Sequence, residues 1–176
     1  MLTDRQRNYA RQPIRVMQII WLGMLAGVSV FAVVLLTVLH PHQPGPDDMT
    51  VLTYAGVAGG VIAFVAANVL SRIMDAAQQQ ALVAAVPADD ADELGDVPAL
   101  CGGYQVRLII ACALLEGAAF LNGIAYLSEG QMINVGVMGA LLVAIALLFP
   151  GRGRVEGWLD RKAAAVQQER QWTRSP

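Results

Sequence analysis

Few residues in this chain have the type and setting to do chemistry, and they are scattered. Glu116 stands as the one charge in an otherwise uncharged, almost wholly apolar run from Leu108 to Leu127. That run is long enough to cross a hydrocarbon core, so the carboxylate would sit near mid-depth, where an unpaired charge costs at least ~2–3 kcal/mol. The default reading of such a group is functional. His40 and His42 are close in sequence and could share a metal ion, but two ligands without a third are too few for a zinc site. Asp89, Asp90, Asp92, Glu93 and Asp96 form an acidic cluster that lacks the ligand spacing of a calcium loop and reads as solvated charge. Cys101 and Cys112 fall in a reducing compartment and within an apolar span respectively, so no structural disulfide is expected. Walker, dinucleotide, HExxH and GxSxG patterns are absent from the sequence. We therefore expect no metal, no cofactor and no enzymatic activity, the segments outside the spans being too small for a folded catalytic domain.

The elements that must position Glu116 follow from composition. Of the 176 residues, 56% are hydrophobic and only 15% charged, against about a quarter charged in ordinary soluble domains. The net charge of -2 excludes the overall basic character of a nucleic-acid binder. Four stretches have the length and apolarity of spanning helices: 16–39, 51–70, 106–127 and 132–149. In lipid they must be helical, because an open strand leaves backbone groups unsatisfied. The first stretch carries no charge over 24 residues, too long for a signal-peptide core of about 7–15, and reads as a retained anchor.

Charge sets the orientation. Arg5, Arg7, Arg11 and Arg15 precede the first stretch, Arg72 and Arg107 lie between the second and third, and the remaining six basic residues follow the fourth. Every positive charge thus falls on alternate connections, as the positive-inside rule requires for four spans with both termini cytoplasmic. The expected fold is all-α, a four-helix up-down bundle spanning the plasma (inner) membrane. Residues 1–15 form a basic N-terminus, 16–150 the membrane domain with a cytoplasmic connection at 71–105, and 151–176 a basic tail. Within that connection, helix two is expected to continue through residues 71–86, with 87–103 as loop; Ser128 to Gln131 allow only a tight turn. The tail is either an interfacial helix on an anionic leaflet or a solvated segment. Trp21, Tyr54, Tyr104 and Tyr126 fall near helix ends, where amphipathic rings prefer the interface.

Small residues recur every three or four positions within the spans: Gly23 and Gly27; Gly56, Gly60, Ala63 and Ala67; Gly136, Ala140 and Ala144. Such rows let helix backbones approach closely. Glu116 lies on one of them with Cys112, Ala119 and Gly123, at a depth that allows it to face Gly60 and Ala63. Asn68, Asn122 and Asn134 are expected to be helix-packing hydrogen bonders or interfacial polar residues.

The segments YAGVAGGVIAF and YQVRLIIACALLEGAAFLNGIAYL, within residues 54–127, resemble the ion-binding hairpin of the rotor-ring proteolipid, ATP synthase subunit c, most closely at LLEGAAF. The resemblance implies that Glu116 would match the residue that loads and releases a proton or sodium ion. Two functions therefore stand open. One is a structural, accessory or assembly subunit, a homo-oligomer or the partner of another membrane protein, with Glu116 as a buried polar contact. The other is ion transport, with Glu116 titrating.

Overall fold

The structure, a computed structural model, describes residues 3–39, 50–85 and 94–174. Over these residues the chain is helical without strands: α1 (Asp4–Thr37), α2 (Val51–Ala84), α3 (Val97–Glu129), α4 (Met132–Leu147) and α5 (Arg152–Arg174). The first three are long and apolar enough to cross a membrane. α4 has 16 residues, or about 24 Å, short of a hydrocarbon core by itself, and with α5 it forms a pair bent by 65° that adds up to a fourth candidate span.

The three long helices extend well beyond the apolar stretches. α1 begins twelve residues before the expected span because Thr3 and Gln6 form a capping box. The Gln6 amide donates to Thr3 Oγ1 at 3.3 Å and the Thr3 amide donates to Gln6 Oε1 at 3.0 Å, which satisfies donors a helix start leaves orphaned. The basic N-terminus is therefore helix. α2 runs to Ala84, as its composition predicts, while α3 starts at Val97, so 97–103 are helical rather than loop. The acids Asp89, Asp90, Asp92 and Glu93 and the pair His40 and His42 lie outside the described residues.

The chain divides into two compact units. One comprises Met1–Ile19, Leu70–Leu108 and Pro150–Pro176. Its core is Ala10, Ile14 and Met17 of α1, Val97, Leu100, Cys101 and Tyr104 of α3, and Val155, Leu159 and Val166 of α5. The last three are fully buried, so this part of the α5 stripe packs on protein, while Trp172 of the same helix is 75% exposed. Polar contacts close this unit. Arg107 pairs with Asp75 at 2.6 Å, and its guanidinium lies 4.7 Å from the Tyr104 ring and 5.2 Å from the Trp158 ring. Arg170 holds both oxygens of Asp96, at 2.9 and 3.1 Å, and donates to the Leu82 carbonyl in the last turn of α2, where a cation offsets the helix dipole. Asp96 of the acidic cluster is thus an ion-pair partner. Arg170→Met removes the fork and the cap together, and we expect a loss of about 1–2 kcal/mol, read as a lower unfolding midpoint in detergent.

The other unit comprises Ile20–Val69 and Ile109–Phe149. α3 is its central helix: half of its candidate span is buried, against 17% for α1 and α2. The outside is as apolar as the inside, with Val30, Val61, Ile62, Val143 and Leu147 all at least 60% exposed, the surface a helix bundle presents to lipid. Trp21 donates its indole N–H to the Ile145 carbonyl at 2.8 Å and meets Phe149 edge-on. Of the four rings expected at the interface, only Tyr54 is largely exposed, at 74%; Tyr104 and Tyr126 are buried by helix packing.

Candidate functional site

Glu116 is half-buried on α3 and approaches α1. A methyl group added at Gly27 would lie 3.6 Å from Glu116 Oε1, and among the described residues it would meet no other heavy atom within 4 Å outside its own helix backbone. The rest of its row points the same way. Cys112 and Ala119 are fully buried, and a methyl at Gly123 would meet Phe31 and Leu35 of α1. Glu116 and Gly123 of the seam thus meet α1, where Phe31 also stands edge-on to Phe120 at 4.8 Å.

Gly56, Gly60 and Ala63 are also buried, in a different seam. A methyl at Gly60 would stand 2.9 Å from Val137 and 3.6 Å from Leu141, both on α4, and one at Gly56 would crowd the amide oxygens of Asn122 and Asn134. The small residues of α2 thus accommodate α4 and the far end of α3, while the carboxylate meets Gly27. Helix rotation decides this, since Asn122 lies six positions beyond Glu116, about 240° around the helix.

Among the described residues no second carboxylate or base joins Glu116. Among the described residues it has no hydrogen-bond or ion-pair partner. Its surroundings are open: Gly23, Gly27 and Gly117 are exposed, and a methyl at Gly23 or Gly117 would meet nothing within 4 Å.

A second polar group, centred on Glu129, escapes the sequence reading. α3 ends at Glu129, Gly130 takes the left-handed conformation at φ 66, and Gln131 is the N-cap of α4, so the turn holds the side chain beside the start of α2. Its two oxygens accept from the amides of Leu52 and Thr53, each at 2.7 Å. These are donors that the first turn of a helix leaves unpaired, and the helix dipole favours a negative charge there. Asn134 donates to the Thr53 hydroxyl at 2.8 Å, and Asn122 donates to the Gly56 carbonyl at 2.9 Å, so three helices are tied by one buried network. Asn122 and Asn134 are the packing hydrogen bonders their position suggested; Asn68 is exposed and donates to the Phe64 carbonyl of its own helix. The available signal for Glu129 was an acid at the end of an apolar span in a connection too short to carry it away. Both cysteines are free and buried, Cys101 in the first unit and Cys112 in the second. Compared with protein-family models, with curated proteins and with solved structures, the chain matches none.

Proposed function

We propose that the chain is a multi-pass membrane subunit that works by self-association, with Glu116 as its polar contact to a helix of a second copy. The charge distribution supports four spans with both termini cytoplasmic in the plasma membrane, the fourth beginning in α4. The single observation that carries the reading is a carboxylate without a hydrogen-bond or ion-pair partner among the described residues, set against Gly27, with open space above Gly23 and Gly117. A second helix can approach closely there and supply the donor, and an interhelical hydrogen bond of about 0.6–2 kcal/mol is then gained. Glu116→Gln keeps a hydrogen-bonding side chain and should keep the association. Glu116→Leu should weaken it by about threefold to thirtyfold, read as the dissociation constant of labelled protein in lipid vesicles. A leucine variant that associates as tightly as the parent, or a parent that stays monomeric, refutes the reading.

The same open carboxylate favours one further reading, ion translocation, in which Glu116 takes up and releases a proton or cation as in the proteolipid it resembles. If Glu116→Gln preserves assembly but abolishes ion flux in liposomes, transport is the function; absence of flux in the parent removes that reading.

A further inference from the structure

Arg7, Arg11 and Arg15 stand four residues apart on α1, all exposed, and none has a side-chain partner among the described residues. Like charges at this spacing repel, which costs stability unless an anion lies across them. Asp4 in the first turn is the acid on that side of the helix, and it leaves the row net positive. One turn beyond Arg15 the helix presents Ile19, 71% exposed, and Val16 beside it is 41% exposed. The row of Arg7, Arg11, Arg15 and Ile19 covers about 18 Å of helix, with charge along most of its length and apolar surface at the end where the uncharged stretch begins. That order matches the profile of a phospholipid, a charged headgroup above an acyl chain.

We propose that this face of α1 is a binding site for anionic phospholipid. The other basic segment is partly committed: Arg170 pairs with Asp96, Arg152 pairs with Glu156 at 3.6 Å, and Val155, Leu159 and Val166 of α5 are buried, so its exposed Arg161 and Trp172 stand without a continuous apolar stripe beside them. A basic residue near a membrane surface attracts anionic lipid by ~1 kcal/mol, about fivefold in affinity, so three arginines amount to roughly a hundredfold at low salt.

The test is retention of phosphatidylglycerol against phosphatidylcholine by the full chain in mild detergent, counted by native mass spectrometry. This measurement does not depend on insertion topology. The parent should retain phosphatidylglycerol preferentially. The Arg7→Gln, Arg11→Gln, Arg15→Gln triple should lose that preference, while a control triple, Arg72→Gln, Arg152→Gln, Arg161→Gln, should keep it. Inorganic phosphate at millimolar concentration should not displace the lipid. Equal losses in the two triples, no preference in the parent, or displacement by phosphate alone would overturn the proposal. Circular dichroism of each triple distinguishes a lost site from lost folding: a helical, cooperatively melting α1 triple that still prefers phosphatidylglycerol also refutes it.

Discussion

Glu129→Ala is expected to destabilise the protein by about 2–4 kcal/mol, a large effect for a residue in a two-residue turn region. Two backbone donors of α2, on Leu52 and Thr53, lose charged acceptors at 2.7 Å. Thr53 is 7% exposed and Glu129 8%, so water replaces the carboxylate poorly. Loss of a helix cap costs ~1 kcal/mol, and hydrogen bonds to charged groups contribute ~1.5–3 kcal/mol. Glu129→Gln offers one carbonyl oxygen and one amide that cannot accept, and should lose about half as much. Glu156→Ala, which breaks an exposed pair with Arg152 one helical turn away, should cost at most ~0.5 kcal/mol. Denaturant unfolding gives the ranking, and amide exchange at Leu52 and Thr53 locates the effect. If Glu129→Ala matches Glu156→Ala and leaves those two amides protected, the cap is not what holds α2 in place.

Gly123→Ala should destabilise by about 1–3 kcal/mol, although alanine is the better helix former. The added methyl would run into the Phe31 ring and stand 3.1 Å from Leu35 Cδ1. Phe31 is held edge-on by Phe120 and Leu35 is fully buried, so relief requires α1 to move away from α3. Gly102→Ala on the same helix meets open space and should instead stabilise by about 0.5–1 kcal/mol. The two substitutions are chemically identical and should shift the unfolding midpoint in opposite directions. Shifts of the same sign would mean that α1 does not pack on the Gly123 seam, and would also remove the contact between Gly27 and Glu116.

The helical extents show where sequence reading reached and where it stopped. The continuation of α2 to Ala84 was legible because its composition stays helix-forming past the apolar stretch. The early start of α3 was not, because Val97 to Gly103 include a proline and two glycines, a loop-like composition that burial of Val97, Leu100 and Cys101 overrides. α5 was expected as either a surface-bound or a solvated tail, since amphipathic spacing alone does not say whether lipid, water or protein covers the apolar side. Val155, Leu159 and Val166 are covered by protein.

Sequence alone predicted a helical protein with four membrane spans, of which the structure supports three to four candidates, a Glu116 deep within one of them, and small residues lining the helix faces. Those properties follow from each segment's own encounter with hydrocarbon or water, which hydropathy, length and charge describe. Tertiary structure alone decided that Glu116 meets Gly27, that Gly56 and Gly60 receive Asn122 and α4, and that Glu129 caps a helix 77 positions earlier in the chain. Such pairings depend on how far each helix is rotated and shifted against its neighbours. A rotation of about 100°, one residue, exchanges one set of partners for another while leaving the hydropathy of every segment unchanged.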